Sequence, residues 1–213
     1  MKTILCYGDS NTWGFNPHDG SRYDHKTRWP RALERLLNAG APPEDPRFWV
    51  VEEGLNGRTS CREDPVEGDR NGLRQVTAVL ESHKPLDMVA VMLGTNDLKP
   101  RYSPMPYDIA YGVQRVVRAI FDSRAGPQEK SPWVLMVCPP PTADSPGFKH
   151  LFGDSVGLSK KLAPLYRQLA KEIGAAFLDA GTVVTSSAQD GIHFEPEEHL
   201  KLARAVADII TAL

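Results

Sequence analysis

Five short apolar runs separated by stretches of helical periodicity most constrain what this chain can fold into. The runs are Thr3–Tyr7, Phe48–Glu52, Met88–Leu93, Val134–Cys138 and Ala176–Leu178. Most are nearly continuous in apolar character, as expected of parallel strands covered on both faces. Helix patterns lie between them. Arg31–Ala39 carries Leu33, Leu36 and Leu37 and stops at Gly40. Leu73–His83 aligns Leu73, Val76 and Leu80, and Tyr107–Ser123 aligns Ile109, Val113, Val116, Val117 and Ile120. Pro164–Ile173 carries Leu165, Leu169 and Ile173; a start near Ser159 would make Pro164 a kink. The last helix is expected to hold Pro196 in its first turn and to bury Leu200, Ala203, Val206 and Ile210. Glu195, Glu197, Glu198 and His199 read as its solvated, acidic first turn. This alternation predicts one α/β domain over residues 1–213, built on a parallel sheet.

Composition narrows the function classes. The formal net charge is -2 with both signs interspersed, so no basic face for nucleic acid is expected. No apolar run is long enough to span a membrane, and the N-terminus lacks a secretory pattern, so a cytoplasmic protein is expected. Cys6, Cys61 and Cys138 are far apart and odd in number, which indicates neither a disulfide framework nor a metal site. Cys61, in a polar loop, is the one thiol placed as an alternative nucleophile, but no sequence signature surrounds it.

The unusual residues fall where the strands end. Gly8-Asp9-Ser10 follows the first run, Gly54–Arg58 the second, Gly94-Thr95-Asn96-Asp97 the third, and Pro139-Pro140-Pro141 the fourth. Asp190-Gly191-Ile192-His193 lies beyond the fifth. Open parallel sheets bind ligands outside the carboxyl ends of their strands, so these remote segments are expected to converge on one edge. A serine hydroxyl needs a base to take its proton. His193 suits that role, and Asp190, three residues earlier, can fix the ring's tautomer and orientation. Taken alone, His193 would read as a surface histidine at a helix start, and Gly57 and Asn96 as turn residues. Asp9 and Asp97 read as supports for their turns. Gly-x-Ser-x-Gly, phosphate-binding glycine loops and the zinc-deaminase pattern are all missing. The long loop from about 139 to 157 and the polar loop 16–28 read as functional or mobile segments, not linkers.

Together these blocks resemble the SGNH, or GDSL-type, hydrolase family, most closely its small bacterial arylesterase and acyltransferase branch. Gly8-Asp9-Ser10 matches the nucleophile block, with Asn11 where leucine is commoner. Gly57 falls at the glycine of the second block, Asn96 and Asp97 in Gly-x-Asn-Asp, and Asp190 and His193 in Asp-x-x-His. The resemblance implies a three-layer α/β/α flavodoxin-like fold with a five-stranded parallel sheet in order 2-1-3-4-5, needing no cofactor and no metal. It implies a Ser10–His193–Asp190 triad. The Ser10 and Gly57 backbone N–H groups and the Asn96 side-chain amide would form an oxyanion hole. Trp13 and Asn11 are expected to shape the substrate pocket, with Phe152 on the alcohol side. The expected reaction is hydrolysis of a small-molecule ester through a seryl-acyl intermediate, with acyl transfer to alcohols as a side reaction. Alternatives are a carbohydrate acetylesterase, a thioesterase or lysophospholipase on the same scaffold, or a non-catalytic module that binds acylated ligands. A flavodoxin-like nucleotide binder would need a glycine loop that this chain lacks. Homo-oligomers, with neighbouring subunits lining the pocket, are a further expectation.

Overall fold

The computed structural model describes residues 1–213. Its elements run β1 (Lys2–Gly8), α1 (Ser10–Trp13), α2 (Trp29–Leu37), β2 (Phe48–Gly54), α3 (Gly72–His83), β3 (Met88–Met92), α4 (Pro106–Asp122), β4 (Trp133–Cys138), α5 (Lys149–Phe152), α6 (Val156–Ser159), α7 (Leu162–Ile173), β5 (Ala176–Asp179) and α8 (Pro196–Thr211). All five strands are parallel, in the order β2-β1-β3-β4-β5, as expected.

The nearly unbroken apolar character of the strands follows from burial on both faces. Leu5 and Tyr7 of β1, Val89 and Val91 of β3, and Val134 and Met136 of β4 join one core with α3, α4 and α7. Their neighbours Ile4, Cys6, Met88, Ala90, Leu135 and Val137 join the other, with α2 and α8. Side chains alternate across a strand, so two covering layers require every position to be apolar.

Register aligns the carboxyl ends. Gly8 of β1 pairs with Gly54 of β2 and with Met92 of β3. The segments that follow these strands therefore begin at one level on one edge of the sheet.

Two helical expectations change. Helix α7 starts at Leu162, so Pro164 sits in its first turn, where a missing N–H costs nothing, and makes no kink. In α8 the buried stripe is His199, Leu202, Ala203, Val206 and Ile210, with Glu198 also buried, whereas Leu200 is exposed. The spacing i, i+3, i+4, i+7 begins at His199, and Leu200 lies about 100° round the helix from that face. Glu198 is drawn in because its carboxylate accepts the Thr185 N–H at 2.8 Å. The acidic first turn is thus only partly solvated.

Candidate active site

Helix α1 begins immediately after β1, which projects Ser10 from the edge of the sheet. Asp9 caps the helix by accepting the Asn11 N–H at 3.0 Å. Its other carboxylate oxygen is buried without a partner. Burial pushes the Asp9 carboxyl up to about 7, against the pull of the Asn11 N–H and the Arg58 charge.

The loop before α8 supplies the other groups. Asp190 Oδ1 accepts the backbone N–H groups of Ile192 and His193, each at 2.9 Å. These bonds close a tight turn through Gly191, whose φ of 79° lies in the left-handed region. The same carboxylate presents Oδ2 to His193 Nδ1 at 2.6 Å. A carboxylate only accepts, so Nδ1 carries the proton and Nε2 is left as an acceptor. Nε2 lies 2.9 Å from Ser10 Oγ, whose hydroxyl can donate to it. All three side chains are buried. Burial raises the Asp190 carboxyl, but hydrogen bonds and charge from His193 outweigh it, and the net shift is downward.

Three contacts hold the imidazole. Phe15 stacks on it, with centroids 4.0 Å apart, and Phe148 meets it edge-on at 5.5 Å. The third is indirect: Asn11 Nδ2 donates to the Ile192 carbonyl at 3.2 Å, tying α1 to the histidine loop. Phe15 is placed by the 16–28 loop. Glu52 on β2 fastens that loop to the sheet by gathering Arg22, Arg28 and Arg31 at 2.9, 3.1 and 2.8 Å.

Across the cavity stand Gly57 and Asn96. Neither the Ser10 nor the Gly57 backbone N–H is taken up by a protein acceptor. Gly57 has φ 79° and lies against the Glu67 carboxylate, where a Cβ would collide. Asn96 Nδ2 gives one N–H to the Arg58 carbonyl at 3.2 Å, which leaves its second for a ligand. The buried Arg58 guanidinium donates to the Gly8 and Glu53 carbonyls and to Gln75, and lies 4.2 Å above the Tyr7 ring. It thereby fixes the Gly57 turn to the ends of β1 and β2. Asp97 accepts from the Ser60 N–H and hydroxyl at 2.8 and 2.6 Å and locks the β2–α3 loop to the β3–α4 loop.

These groups open on a cavity of about 120 Å3, lined by Ser10, His193, Gly57, Asn96, Phe15, Phe148 and Phe152 among others. Trp13 is not among its lining residues: it packs on Phe15 and under the Arg22 guanidinium. Asn11 is also outside the lining and acts through its tether. Phe15, Phe148, Glu67 and Lys99 were missed from sequence, because nothing local marks which aromatic or charge a distant loop will bring to the imidazole. Cys61 lies away from the cavity, near Gly112 of α4. No group of three or more His, Cys, Asp or Glu side chains is gathered to hold a metal ion. No helix is long and apolar enough to cross a membrane.

The sequence pattern of the GDSL-like lipase/acylhydrolase family matches residues 6–199. The chain belongs to the GDSL-like lipase/acylhydrolase family. Solved relatives of this family superpose along the whole chain. Est24, a carbohydrate acetylesterase from Sinorhizobium meliloti, is 36% identical with a TM-score of 0.92, covering 100% of this chain and 99% of its own. The aryl esterase of M. smegmatis is 37% identical with a TM-score of 0.91, covering 100% of both chains. An acetylxylan esterase of Xylanibacter ruminicola is 26% identical over 228 residues. That alignment takes in 98% of this chain but only 42% of the acetylxylan esterase. Membership in this esterase family identifies the chain as an ester hydrolase.

Proposed function

We propose that the protein cleaves small carboxylic esters through a seryl-acyl intermediate, with Ser10 as nucleophile, His193 as general base and acid, and Asp190 as the group that orients and charges the imidazole. The observation that carries this reading is the unbroken chain Asp190 Oδ2–His193–Ser10 Oγ, at 2.6 and 2.9 Å, ending in a cavity with unengaged N–H donors. Ser10 Oγ attacks the ester carbonyl as His193 Nε2 takes its proton. The oxyanion is received by the N–H groups of Ser10 and Gly57 and by the free N–H of Asn96. Collapse expels the alcohol, which takes the proton from His193. Water, activated the same way, then releases the acid and regenerates Ser10. An alcohol in place of water completes an acyl transfer, and product analysis with added alcohol tests that branch.

The cavity, at about 120 Å3, is far below the roughly 300 Å3 or more of drug-sized sites. That size supports short acyl groups over the long chains of a lysophospholipase. A second reading, deacetylation of a carbohydrate, is favoured by the names of Est24 and the acetylxylan esterase. Release of acetate from acetylated xylan, measured beside an aryl acetate, separates the two.

The decisive experiment is Ser10→Ala. Turnover of an aryl acetate should vanish with the fold intact, and a fluorophosphonate should label the native protein but not the variant. Full activity in the variant ends the proposal, and an unlabelled native protein favours the binding module. Homo-oligomer formation belongs to the same reading, supported by the exposed Met105, Tyr107 and Tyr111; sedimentation tests it. A cytoplasmic site of action is supported by three free cysteines and is tested by cell fractionation.

A further inference from the structure

One end of the catalytic cavity is charged, and the reaction as drawn makes no use of that charge. Lys99 and Glu67 both line the cavity. Lys99 follows the Asn96 turn and its side chain is only 3% exposed. Its ammonium donates to Glu67 Oε1 at 2.6 Å and lies 4.0 Å from Asp64. Glu67 is carried by a loop built around Asp64. The Asp64 carboxylate accepts the N–H groups of Val66 and Glu67 at 2.8 and 2.9 Å, the Tyr102 hydroxyl at 2.5 Å and Arg101 at 2.9 Å. Glu67 Oε2 rests against Gly57, so the carboxylate stands beside the Gly57 donor. Asn56 Oδ1, on the same wall, is buried without a partner.

The leaving oxygen must lie against His193 Nε2, because it takes its proton there. The oxyanion takes the Gly57 and Asn96 donors, so the wall beyond them, which carries Glu67 and Lys99, is left to the acyl group. We infer that Glu67, pinned by Lys99, closes the acyl end of the cavity and selects short, uncharged acyl groups. A longer chain meets the carboxylate before the carbonyl reaches the oxyanion donors. An anionic acyl group meets like charge in a small space, where the cations nearest Glu67, Lys99 at 2.6 Å and Arg70 and Arg101 at 3.8 Å, are already engaged with that carboxylate. This inference rests on the esterase reading above and adds its acyl specificity.

The test compares kcat/KM ratios for phenyl acetate, phenyl pentanoate and monophenyl glutarate, the last two sharing chain length but differing in charge. In Glu67→Ala, which opens the wall, the pentanoate-to-acetate ratio should rise at least about tenfold, the scale on which pocket size discriminates. In Glu67→Gln, which keeps the volume and releases Lys99 together with Arg70 and Arg101, the glutarate-to-pentanoate ratio should rise by about the same factor, and adding Lys99→Met, which removes the cation nearest Glu67, should take back most of that gain. Lys99→Met alone provides a reading independent of Glu67 substitutions: the carboxylate, left with only Arg70 and Arg101 at 3.8 Å, should lower the glutarate-to-pentanoate ratio below the native one. Ratios within about twofold of native in these variants overturn the inference. Native turnover of phenyl acetate, lost in Ser10→Ala, tests the esterase reading separately, so its failure is distinguishable from unchanged ratios in an active enzyme.

Discussion

Replacing Asp9 with asparagine should change how stability depends on pH in a calculable way. Asp9 is 1% exposed, accepts one backbone N–H, and leaves its second oxygen with no partner. Burial raises its carboxyl from an ordinary 3.8 to about 7. An acid whose folded pKa is raised contributes stability in full below its unfolded pKa and loses it as pH climbs through the folded value. The window here runs from about pH 4 to pH 7, with a slope of about 1.4 kcal/mol per pH unit. Integrated with those two values, native stability should fall by about 3 kcal/mol between pH 4.5 and pH 7.5 from this group alone. The Asp9→Asn amide would keep the oxygen that caps α1 and would mimic the neutral acid, so the variant should lack that loss. Other titrating groups are common to both proteins and cancel in the difference. Urea unfolding of both at pH 4.5, 6.0 and 7.5 measures it. The variant should gain steadily on the native protein across the series. Parallel curves separated by a constant would show that the carboxylate is ionised in the fold, and would refute the reasoning.

Asn96→Ala removes one of the proposed oxyanion donors and should lower kcat by about 100- to 1,000-fold with little change in KM; steady-state kinetics on an aryl acetate decides it, and an unchanged kcat removes Asn96 from the site. Asn11→Ala cuts the tether to the Ile192 carbonyl, so kcat and the rate of fluorophosphonate labelling should fall together by about tenfold, within what a small misplacement costs. Equal labelling rates in the two proteins would make the tether ornamental. His199 is buried between Tyr23 and Phe194 with both ring nitrogens unpartnered, and burial lowers its pKa to about 3. The folded state resists the proton that the unfolded chain accepts below about 6.5, so stability is lost as pH falls from there towards 3. His199→Leu should flatten that loss in acid denaturation, and an acid limb identical to the native one counts against the assignment.

Much of the fold was legible because its signals are local. A strand covered on both faces must be apolar at every position, and a helix against a sheet must repeat apolar residues at three-to-four spacing. Helix α8 shows where that reasoning fails. Its apolar residues at 200, 202, 203, 206 and 210 admit two overlapping stripes, and the pattern alone does not choose between them. Packing against α2 and the bond from the Thr185 N–H to Glu198 turned His199 inward and Leu200 outward.

The candidate site divides in the same way. Ser10, Asp190 and His193 stood out because a nucleophile, a base and an orienting acid are recognisable by residue type. The three-residue spacing also lets one short turn join Asp190 to His193. The Phe15 and Phe148 rings around the imidazole were not readable, nor were the Arg58 brace, the Asn11 tether or the Glu67–Lys99 pair. Each joins side chains from segments distant in the chain, and no periodicity carries that information. The amino-acid order by itself determined which elements form, that the sheet is parallel, and which groups are equipped to react. The tertiary structure alone decided what surrounds them, because contacts between remote segments depend on strand order, register and loop path together.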